Sequence, residues 1–114
     1  MTKRFGSFVA VNNLNLSLYK NEIFCFLGHN GAGKTTSLHV LMGKEPPSQG
    51  TVLLNMDNDE CLDIQDDVRK AQAMMGTCSQ HDILFDTLSV EQHITLFFKL
   101  KAQFFAKVGS KTIP

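Results

Sequence analysis

Residues 28 to 36 run Gly28-His29-Asn30-Gly31-Ala32-Gly33-Lys34-Thr35-Thr36 and fill every fixed position of G-x-x-x-x-G-K-[ST]. A chance match in a chain of 114 residues is on the order of a few in a thousand. The chemistry available to such a run is anion binding. Glycines at 28, 31 and 33 let the backbone take positive φ and come close to an anion, so that successive N–H groups can point at phosphate oxygens. Lys34 sets an ammonium on the outer phosphates, the helix that it opens presents its positive end, and Thr35 offers a hydroxyl to Mg²⁺. These groups together select a nucleotide polyphosphate with its metal. A glycine-rich turn that merely caps a helix does not need Lys and Thr at those offsets.

Such a loop must hang between a strand and a helix, and the flanking sequence offers both. Ile23-Phe24-Cys25-Phe26-Leu27 is continuously apolar, as expected of a central strand buried on both faces. Before it, Leu14, Leu16 and Leu18 alternate with Asn15, Ser17 and Tyr19, which reads as an antiparallel partner with one wet face, joined through Lys20-Asn21-Glu22 with Asn21 left-handed. From Lys34 the period becomes helical, with Leu38, Leu41 and Met42 on one stripe, Gly43 as a left-handed cap and Pro46-Pro47 as the stop. Further on, the sequence predicts a strand over Thr51 to Leu54, an acidic loop over 55–60, and a brief helix capped by Asp63 with Ile64, Val68 and Ala71 on one face. A strand over Met74 to Cys78 should follow, then a helix opened by the Ser89/Gln92 capping box and running to about Phe105, then a frayed tail from Gly109. Alternating strand and helix favours an α/β domain: a partial parallel sheet with flanking helices, plus antiparallel strands near the amino end.

The composition narrows the partners. Eleven basic residues balance eleven acidic ones, so no large basic field invites nucleic acid or anionic membrane. No apolar run approaches the length of a membrane span, and the amino end lacks a secretory pattern. Cys25, Cys61 and Cys78 are odd in number and widely spaced, which favours reduced thiols, one of them in a buried strand. His29, His39, His81 and His93 show no zinc-like spacing. Asp57-Asn58-Asp59-Glu60 lacks the glycine of a calcium loop and reads as a solvated hairpin tip, and the pairs Phe97-Phe98 and Phe104-Phe105 read as core.

Further residues single out one kind of phosphate-binding enzyme. Arg4-Phe5-Gly6 with Ala10-Val11, then the glycine-rich run, then Cys78-Ser79-Gln80-His81-Asp82-Ile83-Leu84-Phe85-Asp86 and Thr87-Leu88-Ser89-Val90-Glu91-Gln92-His93-Ile94 resemble the ATP-binding cassette of ABC transporters. The resemblance extends to about Lys101 and is most like the A subfamily, which includes lipid exporters. It implies a P-loop NTPase core, ATP and Mg²⁺ as ligands, transmembrane domains and a second nucleotide-binding domain as partners, and a place on the cytoplasmic face of a membrane. By the resemblance Phe5 takes the position of the aromatic that stacks on adenine, and Val11 would contact sugar or base. Asn30, Gly31, Ala32, Gly33, Lys34, Thr35 and Thr36 would hold the phosphates, with Thr35 on the metal. Gln80 matches the glutamine that reaches Mg²⁺ and the attacking water, and the segment after it would touch the transmembrane partner. Ser79 departs from the proline often found there, and the tail from Gln103 departs as well.

Past Gln80 the family continues into a signature motif, an apolar strand ending in Asp-Glu and a later histidine, none of which occurs in the 114 residues. Residues 1–114 therefore match a partial nucleotide-binding domain. The expected role is ATP binding within a transporter ATPase, with Lys34 and Gln80 serving catalysis, and with weak binding and poor hydrolysis by these residues alone. Two alternatives stay open: another P-loop NTPase, for which N-K-x-D and D-x-x-G motifs are missing, or a truncated, non-catalytic nucleotide-binding or interaction fragment.

Overall fold

Gly6 and Ser7 turn the chain back on itself after only five residues, and Gly6 takes φ 58° at the tip. In the computed structural model, which describes residues 1–56, 60–81 and 83–109 (side chains at 104, 105 and 107–109 excepted), this turn joins β1 (Lys3–Phe5) to β2 (Phe8–Val11). The two strands are antiparallel, with Phe5 opposite Phe8 and a bulge between Lys3 and Arg4. Helix α1 spans Lys34–Leu41. A second antiparallel pair, β3 (Leu53–Asn55) and β4 (Cys61–Asp63), closes through the Met56 amide on the Glu60 carbonyl at 2.8 Å, and α2 (Val68–Met74) and α3 (Val90–Gly109) complete the order. The chain divides into two units, Met1–Ala71 and Gln72–Pro114.

Several expectations hold. Antiparallel strands do stand near the amino end, Asn21 and Gly43 are left-handed at φ 63° and 65°, and α1 starts at Lys34. Ala71 is buried on α2 as expected, and Ile64 is buried in the turn ahead of that helix; on α1 the buried residues are Ser37 and Val40, whereas Leu38 of the expected stripe is exposed. The Ser89/Gln92 box is reciprocal: the Ser89 amide donates to Gln92 Oε1 at 2.8 Å and the Gln92 amide to Ser89 Oγ at 3.3 Å.

Others need correcting. Among the described residues both sheets are antiparallel pairs, and the expected parallel sheet is not formed. The amino-terminal hairpin lies at Lys3 to Val11, ahead of the alternating leucines. Leu14 exchanges hydrogen bonds with Met1, but Leu16 and Leu18 are unpaired and exposed. Ile23 to Leu27 also lacks strand pairing, and Ile23 and Leu27 are 98% and 87% exposed. Cys25, expected in a buried strand, is free and exposed. A central strand needs neighbours on both edges for its amides and carbonyls, and no described segment supplies them.

Met74 closes α2 rather than opening a strand, and the stretch after it is irregular. The cap of α2 is Asp67, whose Oδ1 accepts the Lys70 amide at 3.0 Å, while Asp63 ends β4 and accepts from the Gln65 amide at 2.9 Å. Asp63 lies one turn too early to reach the helix amides. The strand expected over Thr51 to Leu54 begins two residues later. Phe97 and Phe98 are exposed rather than core, and the side chains of Phe104 and Phe105, like Asp57 to Asp59, Asp82 and the tail from Ser110, lie outside the described residues.

Candidate functional site

The loop from Gly28 to Gly33 is shaped by three glycines in two different ways. Gly31 and Gly33 take φ 84° and 89°, a region costly for residues with a Cβ, so they supply the backbone reversal expected of them. Gly28 is not left-handed; its value is space, because a Cβ there would stand 3.2 Å from Ala32 Cβ and 3.7 Å from Lys34 Cδ. The Ala32 amide bonds the His29 carbonyl at 3.2 Å, which makes the loop a tight turn.

Gly33 then serves as the N-cap of α1, with ψ 8° and no side chain to bond the first-turn amides. The Ser37 amide bonds the Gly33 carbonyl at 2.8 Å, and Ser37 and Val40 are buried. A Cβ on Gly33 would collide with the Ala10 carbonyl oxygen and stand 3.3 Å from Val11 Cγ2. The phosphate-type loop therefore ends pressed against β2, and Val11, itself buried, forms the surface beneath it.

Lys34 folds back over the loop. Its Nζ donates to the Gly28 carbonyl at 2.6 Å and to the His29 carbonyl at 2.7 Å. An ammonium carries three donors, so these two bonds fix its position and leave one donor for an anion. Thr36 is half-buried, while Asn30, Gly31, Ala32 and Thr35 are exposed on the loop and the first helical turn. What the arrangement can do chemically is hold a negatively charged group at a helix N-terminus whose amides no side chain occupies.

Phe5 is half-exposed on β1, and Lys3 Nζ stands 4.9 Å from its ring centroid. Its cross-strand neighbour Phe8 is more exposed still. Gln80 belongs to the other unit and is exposed in an irregular stretch.

A family model described as "ABC transporter" matches residues 11–112. The chain belongs to the ABC transporter family. The family implies a P-loop NTPase fold and the use of ATP and Mg²⁺. Curated relatives are A-subfamily members: the mouse retinal-specific phospholipid-transporting ATPase ABCA4 is 45% identical over 82% of this chain, and the human glucosylceramide transporter ABCA12 is 40% identical over 94% of it. The human phospholipid-transporting ATPase ABCA3 is 44% identical over 81%. In each case the chain spans only 4–5% of the relative's length. No solved structure matches. Among the described residues no helix is long and apolar enough to cross a membrane.

Sequence reasoning passed over two polar sites. Lys3 is buried and pairs with Glu45 at 3.0 Å while donating to the Pro46 carbonyl at 2.8 Å, so it ties β1 to the segment after α1. The Pro46-Pro47 stop was visible, but a lysine in a basic amino terminus gives no signal that it will be buried. His93 is the other; its spacing excludes a zinc role, but it lies one turn after the capping serine, where a ring can reach back to the helix start.

Proposed function

We propose that this chain binds Mg-ATP through Gly28 to Thr36 as part of the nucleotide-binding domain of an A-subfamily ABC transporter. The observation that carries the reading is Lys34 held over a left-handed glycine loop by two carbonyl oxygens, at the start of a helix whose N-cap has no side chain. Three features fit a polyphosphate: Gly31 has open space where a Cβ would stand, the first-turn amides are uncapped, and one ammonium donor remains.

In this reading Asn30, Gly31, Ala32, Gly33 and Thr36 line the phosphates, Lys34 neutralises their outer oxygens, and Thr35 and Gln80 hold Mg²⁺. Phe5 offers its exposed face to the adenine, and base–aromatic stacking of that kind is worth roughly 1–3 kcal/mol. Val11, buried beneath the loop, contacts the sugar or base. The metal supplies charge neutralisation on the phosphates when bound.

The whole protein would couple ATP hydrolysis to transmembrane transport, at the cytoplasmic face of a membrane, with transmembrane domains and a second nucleotide-binding domain as partners. Two of the relatives are named as phospholipid-transporting ATPases and one as a glucosylceramide transporter, which supports a lipid cargo. Residues 1–114 by themselves bind nucleotide weakly and turn it over poorly.

Titration calorimetry with ATP and GTP in the presence of Mg²⁺ tests this. ATP should bind, Lys34→Ala should weaken it at least about tenfold, and GTP should not be preferred. Binding indifferent to Lys34 would sink the site, a GTP preference would favour another P-loop NTPase, and steady turnover lost in Lys34→Ala would overturn the claim of poor hydrolysis.

A further inference from the structure

The strongest unassigned feature is the cluster around His93 in the Gln72–Pro114 unit. The Phe85 amide stands 2.8 Å from His93 Nε2, and the Ser89 carbonyl oxygen stands 2.9 Å from Nδ1. The partners dictate the tautomer: a backbone N–H can only donate, so Nε2 must accept, and a carbonyl can only accept, so Nδ1 must carry the proton. Two aromatic rings neighbour the imidazole as well. Phe85 stacks at 6.1 Å between centroids and Phe97 at 6.5 Å, with interplanar angles of 25° and 23°. The Phe85 carbonyl in turn accepts the Leu88 amide at 3.0 Å, which closes a turn over residues 85–88.

We propose that His93, as its neutral Nδ1–H tautomer, is the positioning residue that fixes the segment following Gln80 onto the first turn of α3. The proposal deepens the functional reading, in which that segment faces the transmembrane partner, and rests on it for its biological meaning. The side chains flanking the clasp are apolar and exposed: Ile83, Leu84, Ile94 and Phe98. A segment of this kind has no core to hold it, so its conformation depends on the bonds at Phe85. His93 supplies them from a helix that the Ser89/Gln92 box already orders, and the segment is thus presented as one shaped surface.

The test uses the 114-residue chain with three readouts: the imidazole ¹⁵N spectrum, hydrogen exchange at the Phe85 amide, and Mg-ATP affinity. The expected results are a His93 ring protonated at Nδ1 and Phe85 exchange at least about fivefold slower than in His93→Ala, the factor due to one net hydrogen bond. His93→Gln, whose Oε1 can replace the Nε2 acceptor, should restore part of that protection; His93→Val should not. Protonation at Nε2 in the unmodified chain, or Phe85 exchange indifferent to His93→Ala, overturns the clasp. The tautomer is read without any substitution, so a variant that fails to fold does not protect the proposal. Absence of Mg-ATP binding in the unmodified chain with the clasp intact would fell the nucleotide reading alone.

Discussion

Gly31 and Gly33 share a left-handed backbone yet differ in what surrounds them, and the difference is testable. Alanine at either position meets the strain of positive φ, about 1–2 kcal/mol. Only at Gly33 would the new Cβ also strike the Ala10 carbonyl and crowd Val11, whereas at Gly31 nothing lies within 4 Å. Gly33→Ala should therefore lower the denaturant midpoint clearly more than Gly31→Ala; equal losses would mean that β2 does not back the loop. Lys3 offers a second residue-scale test. Glu45→Ala leaves a buried ammonium with the Pro46 carbonyl as its one remaining acceptor, and should cost about 1 kcal/mol given the partial exposure of Glu45, while Glu45→Gln, which keeps an acceptor, should cost less. Chemical denaturation of the three proteins measures the order.

Among elements, α1 and α3 were legible because their start signals are local. Gly33 turns the chain into α1 through its own left-handed backbone, and Ser89-x-x-Gln92 bonds amides within one turn of α3, so no distant residue is needed for either start. Ser89→Ala should remove about 1 kcal/mol from α3 and reduce helical circular dichroism, and Gln92→Ala should do so to a smaller degree because it loses only the return bond. An unchanged spectrum in both would show that packing rather than capping sets the helix start. The cap of α2 was misjudged by one turn because Asp63, Asp66 and Asp67 are chemically equivalent, and which of them reaches a free amide depends on where β4 ends. Strands were less legible than helices. The apolar runs at 14–18 and 23–27 have the right composition, but a strand is completed by partners far away in sequence.

For the molecule as a whole, the imbalance between apolar content and burial decides its behaviour. Among the described residues Val11, Val40, Ile64, Ala71 and Ala73 are buried apolar side chains, and two of these are alanines. Each larger one contributes roughly 1.5–3 kcal/mol, little against the entropy of ordering the chain. An open cavity of about 280 Å³ lies among Val40, Pro47, Val52, Ile64 and Val68, and Ile23, Leu27, Val90 and Phe98 remain exposed. Purified alone, the chain should self-associate and bind a hydrophobic dye. Sedimentation at several concentrations checks this, and a monomer at all of them with a cooperative melt would contradict it.

The amino-acid sequence by itself determined the family, the starts of α1 and α3 and the left-handed turns at Asn21 and Gly43. These rest on contacts between residues a few positions apart. Tertiary structure alone decided that Gly28 acts through space rather than φ, that Lys34 is anchored on its own loop carbonyls, that Lys3 is buried with Glu45, and that His93 holds Phe85. It also decided that the apolar run after Glu22 stays unpaired. The physical reason is common to all of them: a backbone carbonyl, a buried charge or a strand edge is satisfied by whatever folding brings near it, and one-dimensional spacing does not name that partner.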